Sequence, residues 1–197
     1  DSAIQFGLIP AEKTIGHAFT SLFMHGSVSH LLGNMIFLFL FGFAMEVMLG
    51  KLRFLLIYLA AGICAGWTFC LFNEGSTVPL VGASGAISGL MGMYVAAYGF
   101  KRIRFFYSLV FWFGEFTAPA LMVLPIWVGK ELFEQIINSH SNVAYIAHAG
   151  GIVSGFLLTW VAIRFHAPVD ETHYSSEKNN VEEEAFNKRM LRANQQL

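Results

Sequence analysis

The sequence predicts an all-α polytopic membrane protein, and three observations carry that prediction. Apolar residues make up 55% of the 197-residue chain and charged residues only 13%, with twenty Phe; the mean hydropathy is +0.56. Ordinary soluble domains are about a quarter charged, so this is the balance of a chain solvated largely by lipid. The apolar residues are also gathered into stretches that approach or exceed the ~18–20 residues needed to cross hydrocarbon. Finally, Lys and Arg collect in alternate gaps between those stretches.

Taken in order, residues 1–24 read as an extracytoplasmic loop region ahead of the first apolar stretch. That stretch runs from about His30 to Leu49, the second from about Phe54 to Phe72 and the third from about Ser84 to Phe100. The fourth lies within Phe105 to Ile137 and is interrupted by Glu115, Pro119 and Pro125. Its first part, Phe105 to Phe113, is expected partly in the membrane interface, with Thr117 to Phe133 as the span proper. The fifth runs from about Ala147 to Phe165, and His166 to Leu197 is polar, with Glu182-Glu183-Glu184 followed by Lys188-Arg189. Such a segment cannot bury a core and reads as a cytoplasmic tail.

Charge placement orients the spans. Lys51 and Arg53, then Lys101, Arg102 and Arg104, then Arg164 fall on one side if the helices alternate; the other side has only Lys13 and Lys130. The positive-inside rule puts the richer side and the C-terminus in the cytoplasm. The third and fifth stretches then both begin on the outer side. Residues 1–24 would also lie outside without a signal peptide or a preceding span, which predicts an upstream membrane helix. The basic residues form no nucleic-acid patch. Cys64 and Cys70 are six apart and share no helix face, so they are expected to be buried apolar filler, with no disulfide.

Chemistry enters at Ser84, in Val81-Gly82-Ala83-Ser84-Gly85-Ala86-Ile87-Ser88-Gly89, and at His148, which opens the fifth stretch as His148-Ala149-Gly150-Gly151. Gly85, Gly89 and Gly92 stand at i, i+4 and i+7; His148, Gly151 and Gly155 stand in the same relation. Small-residue faces let membrane helices approach closely, and a Ser–His hydrogen bond of ~2.6–3.2 Å needs that approach. Glycine stripes alone are more often plain packing motifs. An imidazole on the matching face, at the same depth, favours a nucleophile and its base.

His30 and Asn34, at i and i+4, share a face at the outer end of the first stretch. Polar groups at membrane depth are costly and usually face the bundle interior or a water cavity. Imidazole and amide N–H groups suit a developing oxyanion, as does the Ser84 backbone N–H; hydrogen bonding across helices is the plainer reading. A metal site using His25, His30 and His148 is the competing chemistry. Helical spacing would set His25 and His30 about 140° apart, and no His-Glu-x-x-His is present, so neither metal nor other cofactor is expected.

Gly82-Ala83-Ser84-Gly85-Ala86, the late His148-Ala149-Gly150-Gly151 and the series His25, His30, Asn34 together resemble the rhomboid intramembrane serine proteases. Phe19 to Ser27 and Phe41 to Gly50 are similar to the family's segments flanking its second helix, so the resemblance covers about residues 14–165. It implies a rhomboid-like helical bundle with five spans visible of six, the first missing before Asp1. It further implies a core over 25–165, Ser84 as nucleophile and His148 as base and acid. His30, Asn34 and the Ser84 N–H would bind the oxyanion, His25 would be structural beneath the first loop, and Gly85, Gly89, Gly151 and Gly155 would pack beside the site.

Two positions depart from the family pattern: its Trp-Arg falls near Gly16-His17, and the Tyr that some bacterial members carry four residues after the nucleophile is Ser88. His148 is therefore expected to be held by glycine packing alone. The implied activity is hydrolysis of peptide bonds in or near transmembrane segments, without a cofactor. The partners are transmembrane protein substrates and the lipid bilayer, not nucleic acid. The implied location is a bacterial inner (plasma) membrane, with the site opening outward and substrates arriving past the fourth span and the loop Asn138 to Tyr145. The alternative is a non-catalytic rhomboid-like protein that binds membrane clients and hands them over.

Overall fold

A serine cap and a glycine turn set the first two long helices of the computed structural model, which describes residues 2–109, 112–129 and 144–165. The tail from residue 166 and residues 138–143 of the expected access loop lie outside the described residues. Ahead of the bundle, α1 (Ser2–Phe6) and α2 (Ile15–Thr20) are short helices in the region read as loop. The Ser27 hydroxyl accepts the His30 N–H at 3.1 Å and caps α3 (Val28–Leu49), which therefore starts ahead of the hydropathy-based boundary. Gly50, at φ 79°, adopts a conformation that disfavours side chains, and α4 (Lys51–Phe72) begins at the next residue. Lys51 and Arg53 lie within α4, since long basic side chains reach water without ending a helix.

After α4 the chain turns back through a loop tied to the N-terminal region. Leu8 and Leu80 exchange both backbone hydrogen bonds, at 3.0 and 2.9 Å. Then come α5 (Ser84–Tyr98), α6 (Ala120–Gly129, opening as a 3-10 turn) and α7 (Ala144–Phe165). Between α5 and α6 stands an antiparallel ribbon, β1 (Arg102–Leu109) and β2 (Trp112–Pro119), paired from Arg102↔Pro119 to Leu109↔Trp112. The bundle is helical as expected, but the fourth stretch is not a span from Thr117, because its first part is strand. Hydropathy counts apolarity and is blind to the aromatic, β-branched character that favours strands. Pro119, extended at ψ 141°, also bars a helix until Ala120.

Side-chain neighbours fix the helix directions. A β-carbon added at Gly85 would meet Ala65 and one at Gly89 would meet Ala61, so α4 runs antiparallel to α5. Gly89 faces the Gly151 carbonyl and Gly92 faces Ile152 and Phe156, so α7 runs parallel to α5. His30 lies by Gly82 and Phe41 packs on Tyr94, so α3 is parallel as well. The starts of α3, α5 and α7 thus share one end of the bundle. The basic residues Lys51, Lys101 and Arg164 share the other, as the charge pattern predicted.

Among the described residues, α3, α4 and α7 are long and apolar enough to cross a bilayer, with 22 residues each. At ~1.5 Å per residue each is about 33 Å long. The fifteen residues of α5 give only about 22 Å, so that helix cannot reach both faces of a ~30 Å core. It is also the central helix, buried from Gly85 to Tyr94 and packed against Phe41, Met45 and Trp127. Phe39, Phe43, Leu71, Phe72 and Phe165 point outward, where lipid meets the bundle. Cys70 is buried as expected, whereas Cys64 is exposed on the outer side of α4.

The glycine contacts lead to a test with opposite signs. A β-carbon at Gly155 would lie 2.6 Å from the Gly89 carbonyl carbon and 2.7 Å from its Cα, backbone that cannot yield cheaply. Gly155→Ala should therefore cost ~1–3 kcal/mol and lower the thermal unfolding midpoint in detergent. Gly33→Ala, whose new methyl meets nothing within 4 Å on α3, should be neutral or gain up to ~1 kcal/mol. Equal effects at the two positions would contradict the packing described.

Candidate active site

The site is assembled at the end of the bundle where α3, α5 and α7 begin. Leading into α5, Gly82 has φ 122°, donates its N–H to the Ser21 carbonyl at 2.9 Å, and leaves no room for a side chain. A β-carbon there would sit 2.7 Å from His30 Cε1, 3.0 Å from His30 Nε2 and 3.7 Å from Ser84 Oγ. Only glycine meets both demands, and its absence of side chain admits the His30 ring beside the Ser84 hydroxyl. Ser84 is the first residue of α5, so its backbone N–H is among those that a helix leaves without an internal partner.

His148 lies in the second turn of α7 and is buried. Its Nε2 is 2.9 Å from Ser84 Oγ, across a separation of 64 residues in sequence. The glycines make this possible. Gly151 lies against the Gly85 carbonyl and the Ser88 hydroxyl, and Gly155 lies against the Gly89 backbone. The α5 stripe also serves α4, because Gly85 and Gly89 point at Ala65 and Ala61. Ser88 itself turns back on its own helix and donates to the Gly85 carbonyl at 2.7 Å.

Glycine packing is not the sole restraint on His148, contrary to the sequence-based expectation. Trp127 of α6, 1% exposed, stands edge-on to the imidazole with ring centroids 5.8 Å apart at 76°. The same indole meets Phe37 of α3 at 5.1 Å and 84°. Sequence reasoning missed Trp127, since an aromatic inside an apolar stretch carries no local sign of its partner. A residue from α6 thus supplies the ring contact that Ser88, on α5, does not.

His25 and His30 also correct the helical reading. His25 precedes α3, so helical spacing does not govern it, and the two rings meet at 5.3 Å and 70°. His25 thereby braces the ring that lies beside Gly82. Among the described residues no three His, Cys, Asp or Glu side chains come together as a metal site would need. Asn34, one turn along α3 from His30, is 1% exposed, and neither its Oδ1 nor its Nδ2 has a hydrogen-bond partner among the described residues. An orphaned buried amide costs ~1–3 kcal/mol, which marks it as a position held for something other than stability. A cleft beside Ser84 is lined by Ser21, Leu22, Gly62, Gly66, Gly82 and Ala147, among others.

An alcohol and an imidazole at this separation can exchange a proton, and the helix start and imidazole beside them can favour negative charge. The chain is also similar to proteins of known family. The Rhomboid domain family matches residues 12–165. The putative rhomboid protease YdcA of Bacillus subtilis is 35% identical over 151 residues, 74% of this chain and 66% of that protein. Rhomboid protease GluP of the same organism is 33% identical over 139 residues, covering 70% of this chain and 24% of GluP. RHOMBOID-like protein 7 of Arabidopsis thaliana is 30% identical over 162 residues, 82% of this chain and 47% of that protein. The chain thus spans only part of the length of each relative. With the domain match running from the N-terminal region to the end of α7, the chain belongs to the rhomboid family.

Proposed function

We propose that the chain is an intramembrane serine endopeptidase that hydrolyses peptide bonds in or near transmembrane segments of other membrane proteins. The observation that carries this reading is the 2.9 Å approach of His148 Nε2 to Ser84 Oγ. Two relatives that bear the name rhomboid protease support it. In the reactive tautomer Nδ1 of His148 holds the proton, and Nε2 takes the one from Ser84 as its oxygen attacks the substrate carbonyl carbon. The carbonyl π electrons move onto oxygen. That oxyanion meets the Ser84 N–H and the side chains of His30 and Asn34. Collapse breaks the C–N bond while His148 protonates the leaving amine, and water then repeats the sequence to release Ser84.

The bundle's geometry suits a substrate that is itself a membrane helix. Such a helix hides its peptide bonds in its own hydrogen bonds and must open locally before attack, so small or helix-destabilising residues are proposed near the cut. The basic residues sit at the end of the bundle opposite Ser84, which supports a site opening to the extracytoplasmic side of a bacterial plasma membrane, with the C-terminus in the cytoplasm. Trp127 is proposed as a positioning residue that holds the His148 ring.

Cleavage of a panel of single-span substrates in proteoliposomes tests this directly. Ser84→Ala and His148→Ala should each lower kcat on the order of 10⁴-fold or more with the fold intact. Cleavage by Ser84→Ala near the wild-type rate would reject the dyad, and no cleavage by the folded wild type would favour a non-catalytic client-binding protein. Asn34→Ala should lower kcat by ~10²–10³-fold, the size of one lost oxyanion donor, while raising thermal stability slightly as the orphaned amide disappears. Trp127→Ala should lower kcat by up to roughly ten-fold with little change in KM, and Trp127→Phe should restore most of it, because an edge-on ring contact is worth ~0.5–1.5 kcal/mol.

A further inference from the structure

The segment ahead of α3 takes no part in the catalytic proposal, yet it is tied to the site from two sides. Leu8 is fully buried and pairs with Leu80 through both backbone groups, its N–H donating at 3.0 Å and its carbonyl accepting at 2.9 Å. Further along, the Ala11 N–H donates to the Ser76 carbonyl at 3.1 Å, and the Ser21 carbonyl accepts the Gly82 N–H at 2.9 Å. Gly7 permits this approach, because a β-carbon there would stand 3.0 Å from Pro79 Cβ and 3.1 Å from Val81 Cγ1. Residues 7–22 thus lie along residues 76–82, the stretch that delivers the chain to Ser84. The Lys13–Glu74 ion pair, 3.7 Å long with Glu74 largely exposed, adds little to that seam.

The Leu8 side chain leads to the other carrier of the dyad. It belongs to one buried cluster with Ala18 of α2, Phe69 and Cys70 of α4 and Ala147 of α7, and Ala147 immediately precedes His148. Gly66 of α4 makes the seat, since a β-carbon there would fall 2.7 Å from Leu8 Cδ2. Leu80 and Ala147 also line the cleft beside Ser84, together with Gly66. Leu8 is therefore joined through its backbone to the lead-in of α5 and through its apolar cluster to the first turn of α7. The glycine contacts set how closely those two helices approach, but bare glycine offers little relief against sliding along the axis. A hydrogen bond tolerates only about 0.5 Å of such sliding, so the axial register needs a stop of its own.

We propose that Leu8 is a positioning residue: it keys the starts of α5 and α7 at one height, so that His148 Nε2 meets Ser84 Oγ. Its catalytic consequence rests on the peptidase reading given above. Trimming the side chain leaves both reacting groups present but loosens their register, and a displacement of about 1 Å costs on the order of 10²-fold in rate. The loss falls on kcat, because a residue with no exposed surface touches no substrate.

The test compares Leu8→Ala, Leu8→Val and Leu8→Met with Leu49→Ala, a trimmed leucine of similar burial at the far end of α3. Each is the full chain in proteoliposomes, read well below its thermal midpoint. Leu8→Ala should lower kcat ~10–100-fold with KM within about two-fold, and slow fluorophosphonate labelling of Ser84 by the same factor. Leu8→Val, which trims one carbon, should show a smaller loss of the same kind and keeps the test decisive if Leu8→Ala does not fold. Leu8→Met, close in volume, should retain most of the rate. Leu49→Ala should lower the thermal midpoint but leave kcat within about two-fold of wild type. Amide hydrogen exchange, which needs no catalysis, should quicken several-fold over residues 80–88 and 145–151 in Leu8→Ala and not in Leu49→Ala. Wild-type kcat in the folded Leu8→Ala and Leu8→Val chains, an equal loss in Leu49→Ala, or unchanged exchange in both segments overturns the proposal. A wild type inert to substrates and fluorophosphonate, with exchange still quickened in both segments of Leu8→Ala, would reject the peptidase reading and support the register role of Leu8.

Discussion

The structure depends on two helices, α5 and α7, meeting at backbone distance. Ser84 and His148 have short side chains, and a 2.9 Å contact between them leaves no room for bulk between their helices. Gly151 against the Gly85 carbonyl and Gly155 against the Gly89 backbone provide the needed surface. Within a bilayer there is no hydrophobic gain in bringing helices together, because lipid is as apolar as leucine. Close van der Waals contact between small residues is what remains, and it is what these positions supply. The alanines of α4, Ala61 and Ala65, extend the same arrangement to a third helix.

Around that contact the rest of the site is held by packing rather than by charge. Gly82 admits the His30 ring, His25 braces it edge-on, and Trp127 reaches across from α6 to His148 while resting on Phe37. Each is a ring against a ring or a ring against bare backbone. Such contacts tolerate a dry environment, where ion pairs would be expensive to desolvate. Asn34 is the exception, a buried amide with no hydrogen-bond partner among the described residues. Under the proposed function, the shortness of α5 would set Ser84 below the bilayer surface, where a membrane-embedded peptide bond and a water molecule could both be brought to it.

How much of this was legible in the sequence follows from what each signal encodes. Helical periodicity put Gly85, Gly89 and Gly92 on one face of their helix and His148, Gly151 and Gly155 on one face of theirs, and charge alternation put Ser84 and His148 at one depth. The end-to-end arrangement of α3, α5 and α7 agrees with that alternation. The ribbon over Arg102–Pro119 was not legible as strand, because a hydropathy window weighs how apolar Phe105 to Phe113 is and not how its residues pair. His25 was misplaced by assuming that the helix of His30 extended back to it, whereas Ser27 caps that helix. Trp127 was missed for a different reason: its partners, Phe37 and His148, lie 90 and 21 residues away, and no local pattern announces such a meeting.

One measurement bears most directly on the proposed dyad. The reconstituted chain would be treated with a fluorophosphonate and the adduct located by mass spectrometry, in the wild type and in His148→Ala. The account predicts phosphonylation at Ser84 in the wild type and its loss in His148→Ala, with both proteins folded to the same thermal midpoint. An adduct on another serine, or equally fast labelling of Ser84 without the imidazole, would contradict it.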